Sequence, residues 1–121
     1  MLSIAAILIF ALGVAHSVLG ERYILTRLLS RTDLPKLFGG TAFTAGTLRF
    51  AWHITTITWF GLAAILWQLG RGASTPLGIA QIIGVTSLAC GVLPIVFTRG
   101  RHVSWVVFFA IGVLALCWSG G

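Results

Sequence analysis

Acidic side chains are almost missing from this chain. Glu21 and Asp33 are the only two in 121 residues. A single glutamate excludes a carboxylate-bridged di-iron centre of the helical-bundle kind, which needs several. Charged residues of either sign make up 8% of the sequence, against about 25% in an ordinary soluble domain. A chain this poor in charge cannot cover a water-facing surface. Gly-rich phosphate loops, paired-cysteine motifs and His-Glu-x-x-His helices are absent as well. Nothing in the sequence spells out an enzyme, and binding is favoured over catalysis. Cysteine occurs twice, at Cys90 and Cys117. Their expected depths differ by on the order of 15–20 Å at helical rise, too far for a disulfide. Both read as small hydrophobes. Positive charge is missing ahead of the first apolar stretch, where Met1-Leu2-Ser3 is neutral and Glu21 and Arg22 come after it. A secretory signal has the opposite order. The stretch is therefore expected to be a retained helix whose N-terminus faces away from the cytoplasm.

What is abundant is hydrocarbon: 58% of the residues are hydrophobic. They fall in four stretches, roughly 2–19 (extendable to 30), 47–69, 76–97 and 103–118. A bilayer core of ~30 Å takes about 20 apolar residues per helix. The expectation is an all-α integral membrane protein: one domain over 1–121, an antiparallel four-transmembrane-helix bundle with short connections. The net charge of +6 would suggest nucleic acid in a soluble protein. Here the bases lie between apolar stretches, so topology explains them better and no nucleic acid is expected. Arg22, Arg27, Arg31, Lys36 and Arg49 flank the first connection, Arg99 and Arg101 the third, and Arg71 alone the second. The positive-inside rule then puts loops 20–46 and 98–102 in the cytoplasm and both termini outside, in an inner (plasma) membrane. The bilayer is the first partner implied.

Between the first two stretches, Ile24, Leu25, Leu28 and Leu29 keep helical spacing, so the first helix is expected to run on or to lie along the surface. Asp33 and Pro35 suit a short helix over Lys36–Phe38, which Gly39-Gly40 would end. Thr44 or Thr47 is expected to cap the second long helix, and Pro76 to open the third. In that third helix Ala80, Gly84, Ser87 and Gly91 form a small-residue stripe suited to close helix packing. The stripe raises the alternative of a homo-oligomer, or of an accessory or scaffold subunit in a larger membrane complex.

Alternation brings His16, Glu21, Arg49, His53 and His102 towards one membrane level, near the cytoplasmic face. Ionisable residues within apolar helices are costly and mark a functional site by default. Arg49 and His53 are four apart and share a face that Thr56 continues. On the first helix His16, Gly20, Tyr23 and Arg27 form one stripe, and Ser17 and Glu21 the next. Ser17 and His16 point to different faces, so they do not make a nucleophile–base pair. Glu21 is expected to meet Arg49 across the helix pair.

Four readings of this cluster compete. In a structural one, Glu21 neutralises Arg49, His16 bonds a neighbouring helix and His102 rests among headgroups. In the second, His16 and His53 ligate haem or a transition metal, with Glu21 available. In the third, Arg49, His53, Arg27 and His102 receive an anion, a lipid headgroup or the polar end of a quinone, with Trp52 and Trp59 packing the apolar part. In the fourth, histidine carries protons or ions through an oligomer. The candidate ligand-binding residues are His16, Glu21, Arg49 and His53, with Arg27, Tyr23, Trp52, Thr56 and His102 around them.

Overall fold

The computed structural model describes residues 1–120. Among them the chain is helical, with four helices and no strand. The first helix runs over Leu2–Leu29 without a break. It is α-helical to Leu19, widens into a π-helical stretch at Gly20–Leu25, and closes with one α turn, Thr26–Leu29. Gly20 does not interrupt it, since its φ of −61° is ordinary helix. A widened turn leaves carbonyls with weakened partners. The Thr26 hydroxyl lies 2.7 Å from the Glu21 carbonyl and 2.9 Å from that of Arg22 and covers both.

The second helix, Ala42–Gly70, starts five residues before the expected Thr47, because the small stretch ahead of Thr47 is a packing surface and not a loop. Gly46 is buried there, where a Cβ would collide with the Phe97 carbonyl of the third helix. Neither expected cap acts as one. Thr44 donates its hydroxyl to the Pro35 carbonyl (2.7 Å), and the Thr47 hydroxyl is buried without a partner. The expected short helix at Lys36–Phe38 is a tight turn instead. Leu37 and Gly40 exchange two backbone hydrogen bonds (2.9 and 3.3 Å) across Phe38 (φ 54°) and Gly39 (φ 87°). Two successive left-handed residues form a primed β-turn and cannot continue a right-handed helix.

The third helix, Pro76–Thr98, opens as its sequence dictates: Pro76 needs no N–H in the first turn, and the Thr75 hydroxyl accepts from Gly78 N–H (3.0 Å). Arg99 (φ 55°) and Gly100 (φ 75°) turn left-handed and stop it. The fourth helix, Ser104–Cys117, has 14 residues. That is about 21 Å at 1.5 Å per residue, short of a ~30 Å hydrocarbon core. Three helices are therefore long and apolar enough to cross a membrane, and the fourth is apolar but shorter.

Each helix packs chiefly on its neighbour in sequence. Gly13 meets Phe60 and Gly20 meets Trp52 between the first two; Gly61 meets Thr86 between the second and third. Gly84 lies against Leu116 and Gly112, and Gly91 against Phe108 and Phe109. The glycines of the small-residue stripe are thus packed against the fourth helix, the close approach that their size allows.

Candidate functional site

The polar residues of the first two helices meet because two stripes with matching spacing face each other. Ser17 and Glu21, four residues apart on the first helix, meet Arg49, His53 and Thr56 on the second. Glu21 is the hub. Its Oε1 lies 2.9 Å from Arg49 Nη2, and its Oε2 lies 3.1 Å from His53 Nε2. The other imidazole nitrogen, His53 Nδ1, lies 2.8 Å from Ser17 Oγ, which is 2.7 Å from Thr56 Oγ1.

With Glu21 ionised and His53 neutral, the valences of the groups set the direction of each bond. An ionised carboxylate only accepts, so neutral His53 places its proton on Nε2 and donates it to Glu21. Nδ1 is then the acceptor, and Ser17 donates to it. The Ser17 oxygen in turn accepts from Thr56. The chain of bonds reads Thr56 to Ser17 to His53 to Glu21, with Arg49 donating to Glu21 from the other side. Its inner end, Thr56, is buried at 5% exposure, whereas Glu21 and Arg49 keep about a third of their side-chain surface (36% and 32%). The network thus runs from a partly wet rim into the dry contact between two helices. The Arg49–Glu21 pair cancels in charge and leaves the assembly neutral.

His16 stands apart from this network. Its ring lies flat on Trp52 (centroids 4.5 Å apart, planes 4° apart) and edge-on to Trp59 (5.1 Å). The Trp52 indole N–H donates to the His16 carbonyl at 3.1 Å, tying both residues to the same place. Gly20 makes room for this indole, since a Cβ there would run into its ring. His16 Nε2 is buried and has no hydrogen-bond partner; Arg49 Nε shares that condition.

The outlying residues go elsewhere. His102 Nδ1 lies 2.8 Å from the Ser104 hydroxyl, and its backbone N–H donates to Thr98 Oγ1 (3.1 Å). Its ring rests against Phe43 and Phe50. It closes the turn into the fourth helix and does not join the network. Tyr23 and Arg27 are exposed, and Arg22 sits 5.6 Å over the Tyr23 ring. Trp52 lines the site through His16, and Thr56 belongs to the network itself.

Ser17 is the participant that sequence reasoning left out. Its neighbour in sequence, His16, points to another face, whereas its partner is a histidine on the next helix. The signal was its four-residue spacing from Glu21, matched by the Arg49–His53 spacing opposite.

A metal or haem would ask these residues for free donors. Both ring nitrogens of His53 are engaged, and among the described residues no group of three or more His, Cys, Asp or Glu side chains is placed to hold a metal ion. The donor set does not fit a bis-histidine haem or a zinc, copper or iron site unless the network is broken. No family model, curated protein or solved structure matches the chain.

Proposed function

We propose that this chain is a polytopic membrane protein whose helices cross the bilayer in antiparallel order, and that it binds a small ligand where the first two helices meet at the cytoplasmic side. Three helices of spanning length and apolar composition support the membrane setting. The excess of arginine and lysine in the first and third connections supports the orientation, with both termini outside. The observation that carries the binding reading is the continuous set of bonds from Thr56 through Ser17, His53 and Glu21 to Arg49, inside an otherwise apolar helix contact. Polar groups are expensive in such a place and would serve to hold and orient a site.

A second reading has its own support. Nearly every donor and acceptor of Ser17, Glu21 and His53 is satisfied within the chain, as expected of a clasp that merely fixes the two helices in register. Extraction of the tagged full chain from its native membrane, with mass spectrometry of co-purifying small molecules, separates the two. Binding predicts one compound at a fixed ratio to protein, depleted in a folded His53→Ala variant. A clasp predicts the bulk lipid mixture from both.

A further inference from the structure

We infer that the turn before the second helix and the turn after the third form one basic surface, and that it binds the headgroup phosphates of anionic phospholipids in the surrounding leaflet. This rests on the membrane setting proposed above and not on the ligand reading, since none of its residues belongs to the Glu21–His53 network.

Aromatic contacts hold the two turns together. Phe38, in the turn Leu37–Gly40, packs edge-on to Phe43 (centroids 4.8 Å apart). Phe43 stacks on His102 (6.0 Å), in the turn between the third and fourth helices. The Thr44 hydroxyl donates to the Pro35 carbonyl and ties the first turn to the start of the second helix. The Trp105 indole N–H donates to the Gly100 carbonyl (3.2 Å) and ties the second turn to the start of the fourth. These contacts set Lys36, Arg99 and Arg101 around one aromatic ladder, Phe38–Phe43–His102.

Three observations select the occupant. The first is charge. Lys36, Arg99 and Arg101 are exposed, and none of them is in an ion pair. Both acidic side chains of the chain are engaged elsewhere, Asp33 with Arg31 and Glu21 with Arg49 and His53. An anion for this surface must come from outside the chain. The second is depth. Arg99 directly follows the third helix, and Arg101 stands three residues ahead of the fourth. Both cations lie within a turn of apolar helix, at the level of headgroup phosphates, where anionic lipid attracts basic side chains. The third is the company they keep. Phe38 and Val103, close to the cations in sequence, are 71% and 73% exposed. Apolar side chains beside cations suit the boundary between headgroups and hydrocarbon. A soluble polyanion such as a nucleic acid would leave both in water.

The test is native mass spectrometry of the full chain in micelles holding equal amounts of phosphatidylglycerol and phosphatidylcholine with identical acyl chains. The expected result is retention of phosphatidylglycerol over phosphatidylcholine by on the order of tenfold. Lys36→Gln, Arg99→Gln and Arg101→Gln should each lower that preference about threefold, and the triple change should bring the two lipids level. All three sites are exposed, so circular dichroism should not change. Arg22→Gln combined with Arg27→Gln, on the first helix, should leave the preference intact. Equal retention of the two lipids by the native chain would overturn the inference. So would a preference that survives the triple change, which would place the lipid elsewhere. A preference lost as fully with Arg22 and Arg27 neutralised would assign it to net charge and overturn the local surface. Displacement of the lipid by millimolar inorganic phosphate or by a short oligonucleotide would overturn it as well and mark a site for a soluble anion.

Discussion

Glu21 holds two donors at once, and that makes the Glu21–Arg49 pair the sharpest place to perturb the protein. Replacing Glu21 by glutamine leaves one acceptor oxygen and turns an amide N–H₂ towards whichever donor loses it. Arg49, already short of a partner at Nε, would then face a donor at Nη2 as well. Replacing Arg49 by leucine is milder, because Glu21 keeps the His53 N–H. In the double variant the amide oxygen can serve His53 while leucine fills the guanidinium's place without polar demand. An exposed ion pair contributes about 0.2–1 kcal/mol, and breaking a fully buried one costs roughly 3–5 kcal/mol. With a third of each side chain exposed, this pair lies between. Glu21→Gln is expected to cost about 2 kcal/mol, and Arg49→Leu about 1 kcal/mol. The double change should fall about 1 kcal/mol short of their sum, within the range found for contacting groups. Reversible unfolding in mixed micelles, by detergent titration and tryptophan fluorescence, measures all three. Additivity to within about 0.3 kcal/mol would refute the pairing.

Other consequences can be checked separately. Gly20→Ala should loosen the first two helices by roughly 1–3 kcal/mol, since the new methyl displaces Trp52 from His16; a red shift of tryptophan emission reports it. Gly46→Ala should cost at least as much, because its methyl meets a backbone carbonyl and not a movable side chain. In the loop outside the helices, the Arg31 guanidinium holds the Asp33 carboxyl below its ordinary 3.8. Any stability this adds is present above that value and lost as pH falls through the lowered one. Both groups are fully solvated, so the readout is the carboxyl's own NMR titration, with a midpoint that returns to the ordinary value in Arg31→Ala. For topology, cysteines placed at Ser3 and at Lys36 should react from opposite sides of sealed vesicles. Labelling of both from one side would remove the antiparallel arrangement.

The helices were legible because apolar length is a strong signal that needs no partner to interpret. Where the reading slipped, tertiary contact had reassigned a local cue. Gly46 and its small neighbours look like loop, yet smallness there serves the close passage of Phe97. Asp33 and Pro35 look like a helix start, but the left-handed pair Phe38–Gly39 closes a turn first. At the site, Arg49, His53 and Glu21 stood out because charge in an apolar helix is rare. Ser17 did not, since a serine in such a helix ordinarily bonds back to its own backbone. Its role depends on what the facing helix presents at the same level, which spacing on one helix does not reveal.

Glu21, His53 and Ser17 form one connected unit across two helices. Solid-state NMR of the protein in bilayers, labelled at histidine and glutamate, tests it directly. The expected result is a His53 ring protonated at Nε2 and accepting a hydrogen bond at Nδ1, with a strong dipolar contact between Nε2 and the Glu21 carboxyl carbon. A proton on Nδ1, or no contact to Glu21, would contradict it.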